Sequence, residues 1–177
     1  MLERRSYQCA AEMDAFIKLL LDEKVTSYLE IGSKFGGSLR TVGGALPRKS
    51  RIASVDLNEH GPDLADVIAD LCAEGQDARL IVGDSHHAHV VRRVRALGAF
   101  DAVFIDGDHS LEGVAADWKN YGLVGCRIVA FHDINSSVHR SVPAFWDELK
   151  QHYGLHKRIK EICLDSGHNG IGVLWHG

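Results

Sequence analysis

Short apolar runs rich in Val and Ile alternate along this chain with longer amphipathic stretches, and that rhythm constrains its fold more than any other feature. A short run flanked by turn residues fits a strand buried on both faces, and the longer stretches with apolar residues at helical spacing fit the helices that cover it. Strands are predicted at 27–31 (SYLEI), 51–57 (RIASVDL), 79–83 (RLIVG), 102–105 (AVFI), 127–132 (RIVAFH), near 157–164 and at 171–175. Helices are predicted at 10–21, 38–46, 62–73, 88–97, 111–121 and 142–152. The crossovers are long enough to join parallel neighbours. After Leu164 only DSGHNG precedes IGVLWH, a short loop that fits a hairpin, so the final pair is expected to be antiparallel. The chain therefore predicts an α/β, doubly wound, seven-stranded, mostly parallel sheet with an antiparallel C-terminal strand and helices on both faces. With 177 residues, one domain spanning 1–177 is expected.

Charge and composition exclude several partners. Lys and Arg total 20 against 24 Asp and Glu, a net charge of −4, which is the wrong sign for a chain held on nucleic acid by counterion release. The basic cluster Arg92, Arg93 and Arg95 in VVRRVRAL is read as the solvated face of a helix. No apolar stretch approaches the ~18 to 20 residues that span a bilayer, so no membrane partner is expected. The start, MLERRSYQCAAEMDAF, lacks the apolar centre of a signal peptide, and a cytoplasmic location is expected. Cys9, Cys72, Cys126 and Cys163 form no C-x-x-C pair, so buried free thiols are expected rather than a zinc knuckle or disulfides.

In an open parallel sheet, ligands bind outside the carboxyl ends of the strands, where the winding reverses. The first strand runs into E-x-G-x-x-x-G-x-S, with Glu30, Gly32, Gly36, Gly37 and Ser38. Free amides at the helix start and the Ser38 hydroxyl suit a carboxylate or phosphate; the same glycines also serve a tight turn and close helix packing. Asp56 ends the second strand, where an acid can accept hydrogen bonds from a ribose, which implies a ligand containing a nucleoside. Asp84 and Ser85 end the third, placed either to hold an adenine edge or to cap the next helix. His86, His87 and His89 are read as an exposed loop and helix start, not a metal site.

The densest signal is FDAVFIDGDHSLEG, in which an apolar strand runs into Asp106, Asp108 and His109, and AFHDIN repeats the pattern with His132, Asp133 and Asn135. Crowded carboxylates repel unless a cation or donor neutralises them, so a divalent metal between Asp106 and Asp133 is expected, Mg²⁺ or Mn²⁺, with His132 as third ligand. An imidazole in the set tilts it from Mg²⁺ toward Mn²⁺, Fe²⁺ or Zn²⁺. His109 is the candidate general base, because an imidazole exchanges its proton near neutral pH.

These motifs together resemble class I S-adenosylmethionine-dependent methyltransferases, specifically the small-molecule O-methyltransferases related to macrolide-sugar (macrocin-type) and catechol enzymes. YLEIGSKFGGS looks like their first motif, SVDL the ribose-binding strand end, VGDS the adenine region, and FIDGDHSLEGVAADW with AFHDI the metal and catalytic strands. VPAFWDEL and GIGVLW look like the tail of the group. The resemblance covers nearly the whole chain and implies a Rossmann-like fold, with Gly32, Gly36 and Ser38 on the methionine part of the cofactor and Glu30 supporting their loop. It further implies Asp56 on the ribose, Asp84 and Ser85 at the adenine edge, and Asp106 and Asp133 on metal-ligand positions. His109 falls where macrolide-sugar members carry a histidine base, and Asp106 beside it belongs to the catalytic pair. The position before Asp133, usually acidic in the group, is His132 here, which shifts the expected ion.

The implied reaction is methyl transfer from S-adenosylmethionine to a hydroxyl of a small sugar- or phenol-type acceptor. Two alternatives stand beside it: a nicotinamide-dependent oxidoreductase, disfavoured by the glycine spacing, and a nucleoside-binding protein without catalysis. Few residues lie beyond the sheet and its helices to cap a substrate, so a second copy completing the site as a homo-oligomer is a further expectation.

Overall fold

The computed structural model describes residues 9–58, 62–123, 125–155, 157–164 and 169–176. Its elements in chain order are α1 (Ala10–Asp22), β1 (Ser27–Ile31), α2 (Gly37–Ala45), β2 (Arg51–Asp56), α3 (Asp63–Ala73), β3 (Asp77–Val82), α4 (Ala88–Arg95), β4 (Phe100–Ile105), α5 (Leu111–Asp117), a π-helical turn (Trp118–Gly122), β5 (Cys126–Phe131), α6 (Ser141–Tyr153), β6 (Ile159–Ile162) and β7 (Ile171–Trp175). They form a seven-stranded sheet of order β3-β2-β1-β4-β5-β7-β6. β1 to β5 pair in parallel, and β7 runs antiparallel to both β5 and β6.

Each strand alternates its side chains between two cores. Tyr28, Ile52, Phe104 and Val173 join Phe16 and Leu20 of α1, Leu39 and Val42 of α2, and Leu64 and Val67 of α3 on one face. Leu29, Val55, Val103 and Phe131 meet Val90 and Val94 of α4, Val114 of α5, and Phe145 and Trp146 of α6 on the other. The doubly wound architecture follows: the chain leaves β1 toward β2 and β3, then returns to β4 on β1's other side. The β1–β4 boundary is the point where the winding reverses.

Two details depart from the sequence reading. The helix predicted over 111–121 widens at Trp118, where the Leu123 amide donates to the Trp118 carbonyl. That turn brings both Trp118 and Tyr121 into the core, with Trp118 lying over Gly122. The final pair is antiparallel as expected, with β7 inserted between β5 and the edge strand β6; residues 165–168, where the hairpin loop is expected, lie outside the described residues. The four free cysteines are not buried: Cys9 and Cys126 are half-buried, while Cys72 and Cys163 are exposed. Cys72 stands on the outer face of α3, whose inward positions are Leu64, Val67 and Leu71, and Cys163 follows the edge strand β6. Arg92, Arg93 and Arg95 are exposed as expected, with Val90, Val91 and Val94 inward. Among the described residues, no helix is long and apolar enough to cross a membrane.

β7 can insert only because Gly172 leaves room for α6. A Cβ there would stand 2.6 Å from Trp146 Cε2, and Trp146 is itself almost fully buried. Gly172→Ala is expected to destabilise the fold by about 1–3 kcal/mol through overpacking, read as a lower midpoint in urea denaturation; an unchanged midpoint would show that this contact is slack.

Candidate active site

β1 ends against the turn after β4. Gly32 has φ +82°, and a Cβ on it would meet the Asp106 carbonyl oxygen at 2.4 Å. Only a residue without a side chain fits both constraints. Behind this turn Glu30 is fully buried, accepting from the Tyr28 hydroxyl and the Ser38 hydroxyl at 2.7 Å each. The carboxyl thus ties β1 to the first turn of α2. Burial pushes its pKa up to about 7, against the opposing pull of the Ser38, Tyr28 and Ser33 hydroxyls. Gly36 faces away from the cavities: a Cβ on it would strike Val67 and Leu64, so this glycine serves the packing of α2 on α3.

Asp56 fastens the glycine loop from the other side. Its Oδ2 accepts from the Ser33 and Lys34 amides at 2.9 and 2.8 Å, and its Oδ1 from the Asn58 amide at 2.6 Å. Lys34 holds a left-handed backbone, φ +50°, in the middle of this loop. A cleft of about 500 Å³ opens beside it, lined among others by Gly32, Asp56, Asp84, Ser85, His86 and Asp106. Asp84 does not cap α4; its Oδ1 accepts from the His86 amide at 2.8 Å, and α4 begins after His87 with no side-chain cap.

A second cavity of about 400 Å³ adjoins the first and is lined by Gly32, Lys34, Ser38, Asp106, His109, His132, Asp133 and His139, among others. Gly32, Lys34, Asp106 and His109 face both cavities. The ligand atoms of Asp106, His132 and Asp133 all lie within 4.8 Å of one another, so the three expected metal ligands converge. His132 Nδ1 stands 3.1 Å from Asp106 Oδ1 and 3.4 Å from Asp133 Oδ1. His109 Nε2 lies 3.4 Å from Asp106 Oδ1 and 3.1 Å from Asp133 Oδ2, near enough for charge pairing but not aligned for a hydrogen bond. Asp133 reaches this position from a left-handed backbone, φ +60°.

The electrostatics follow from that crowding. Burial works to raise the Asp106 carboxyl, yet the facing His132 and His109 pull it down to about 2. Asp106 and Asp133 hold the His109 imidazolium up to about 10, with burial opposing. His132 is raised too: burial acts against its charge, and Asp106 overcomes that. The facing His132 and His109 rings are thus what offsets the cost of burying the Asp106 carboxylate.

Sequence reasoning missed three neighbours. Asp117 of α5 is fully buried beneath the first cleft, its Oδ1 3.3 Å from His86 Nε2, and burial pushes its carboxyl up to about 6. A signal existed: Val114, Asp117 and Tyr121 share one buried face at helical spacing, so the acid sits in an apolar stripe. Lys34 was passed over because its importance comes from an unusual backbone angle. His139, in the loop before α6, stacks on His109 with ring centroids 4.2 Å apart. Loop conformation alone brings it there.

Residues 29–134 match a family model described as a methyltransferase domain. The chain belongs to this methyltransferase family. The match begins in β1 and ends just past Asp133, so it contains both cavities' strand-end residues. No curated protein matches the sequence. Among solved structures, a putative caffeoyl-CoA O-methyltransferase from Staphylococcus aureus is similar at 16% identity and a TM-score of 0.74, over 97% of this chain and 86% of that one. The O-methyltransferase TomG from Streptomyces achromogenes, solved with SAM, is similar at 17% identity and a TM-score of 0.72, over 95% and 80%. An O-methyltransferase from Bacillus cereus, solved with SAH, follows at 15% identity and a TM-score of 0.66, over 97% and 84%. These likenesses show that the methyltransferase shares its fold with solved O-methyltransferases, and the family sets aside the oxidoreductase alternative.

Glu30 provides a direct check on the buried end of this site. Its folded pKa of about 7 exceeds the ordinary 4.5, so the folded state binds the proton more tightly. Its contribution is therefore complete below pH 4.5 and lost as pH rises through 7. Between pH 5 and 8 the wild type is expected to lose on the order of 3 kcal/mol more unfolding free energy than Glu30→Gln. Parallel pH profiles of the two proteins in urea titrations would show that Glu30 ionises normally.

Proposed function

We propose that this methyltransferase transfers the methyl group of S-adenosylmethionine to a hydroxyl of a small sugar- or phenol-type acceptor, with a divalent cation held by Asp106, His132 and Asp133. One observation carries the reading: two cavities meet at Gly32, Asp106 and His109, so a cofactor in one would present its reactive end to an acceptor in the other. The net charge of −4 favours a small acceptor over a nucleic acid.

Asp56 keeps acceptor capacity on Oδ1 for a ribose hydroxyl, because a carboxylate offers about four acceptor sites and three are used. Asp84, Ser85 and His86 would line the adenine end. The methionine end would run past Gly32 toward Ser38 and the amides at the start of α2, which suit its carboxylate. Gly36 assists indirectly, by letting α2 lie close on α3, and Glu30 by fixing Ser38. S-adenosylmethionine, when bound, supplies an electrophilic methyl on a sulfonium sulfur, whose positive charge suits a cleft lined by acids.

Two carboxylates and an imidazole within 4.8 Å fit a divalent cation of the Mg²⁺ or Mn²⁺ type, His132 favouring the latter. Held by these three residues, such a cation would lower the pKa of an acceptor hydroxyl and offset the carboxylate charge around His109. His109 Nε2 then takes the hydroxyl proton as the acceptor oxygen bonds to the methyl carbon, and the carbon–sulfur electron pair stays on sulfur. Asp106 and Asp133 orient His109 from either side.

Calorimetric titration is expected to show binding of S-adenosylmethionine or S-adenosylhomocysteine and none of NAD. His109→Ala is expected to keep that affinity while turnover with a responsive sugar or phenol acceptor falls roughly 10²- to 10⁴-fold. Undiminished turnover would remove His109 as the base, and NAD binding would overturn the cofactor.

A further inference from the structure

The geometry points to a second cation site, made by His109, Asp133 and His139, that takes a zinc-type ion and blocks methyl transfer by occupying the base. The blocking effect rests on the reading of His109 given above; the binding site does not.

The ligand atoms of these three residues lie within 4.8 Å of one another, as those of Asp106, His132 and Asp133 do. Asp133 belongs to both sets, but it offers them different oxygens. Its Oδ1 faces His132 at 3.4 Å and its Oδ2 faces His109 at 3.1 Å. The His109 Nε2 atom is buried and faces Asp133 Oδ2 at 3.1 Å without hydrogen-bond alignment, so an ion entering the set would displace the proton from this nitrogen and take its place beside the carboxylate.

His139 is held in backbone, and its ring is exposed. The Ser136 hydroxyl oxygen accepts from the amides of Val138 and His139 at 3.3 and 3.0 Å, which anchors the loop ahead of α6. The ring is exposed and stacked on His109 at an interplanar angle of 21°. Zinc–nitrogen bonds of about 2.0–2.1 Å in a tetrahedron need donor atoms roughly 3.3 Å apart. Closing that difference requires the exposed His139 ring to rotate out of its stack on His109.

The two sets differ in softness. Two carboxylates and one imidazole make an oxygen-rich set, while two imidazoles and one carboxylate, with the fourth position open, are a donor set suited to zinc. Mg²⁺ has little affinity for the imidazole pair, so the ion that would serve the acceptor does not compete for the second set. An ion there consumes the lone pair on His109 Nε2 that would receive the acceptor's proton.

The test uses the full chain, stripped with a chelator and titrated calorimetrically with zinc chloride alone. Wild type is expected to bind zinc at least tenfold more tightly than His139→Ala, while Mn²⁺ affinity is the same in both. Equal zinc affinity in the two proteins would overturn the site, because the ion would then use His132 or surface histidines instead. In an acceptor assay at saturating Mg²⁺, zinc is expected to inhibit wild type, and His139→Ala is expected to need at least tenfold more zinc for equal inhibition. Equal inhibition of both would also overturn the proposal. Zinc binding that depends on His139 in a protein showing no transfer to any acceptor would support the site and count against the functional reading alone.

Discussion

Strands that run in one direction leave their carboxyl ends, and the loops that turn out of them, at a single rim. β1 to β5 obey this constraint, and the rim of β1, β2, β3, β4 and β5 accordingly carries Glu30, Asp56, Asp84, Asp106 and Asp133. The parallel pairing itself demands both faces be covered, which accounts for three helices on either side and for two cores rather than one. Fold and site are thus consequences of the same chain direction.

Accumulating acids at one edge is costly unless each is answered, and the chain answers them in different ways. Asp56 is engaged by backbone amides of the glycine loop. Glu30 and Asp117 are buried deeply enough that their carboxyls are pushed up to about 7 and about 6. Asp106 and Asp133 stand against two imidazoles, His132 at 3.1 Å from Asp106 and His109 at 3.1 Å from Asp133.

Most of this was readable in the sequence because it depends on strand order and local motif. The positions of Asp56, Asp106, His109, His132 and Asp133 follow from where apolar runs stop, and strand ends are sharply marked by Asp and Gly. What could not be read depends on distances between segments far apart in the chain. The partnership of His139 with His109 spans the β4 and β5 exits, and the duty of Gly36 toward Val67 rather than toward a ligand is a matter of helix packing. The place of β7 inside the sheet was equally hidden, since a hairpin motif fixes which strands pair but not which of them faces β5.

The backbone angle at Asp133 limits how this rim can vary. With φ at +60°, the position tolerates Asp, Asn or Gly and resists branched or bulky residues. Asn is one atom's exchange away and keeps the conformation while removing the charge. A descendant of this chain could therefore shed this carboxylate in one step and still keep the shape of the rim.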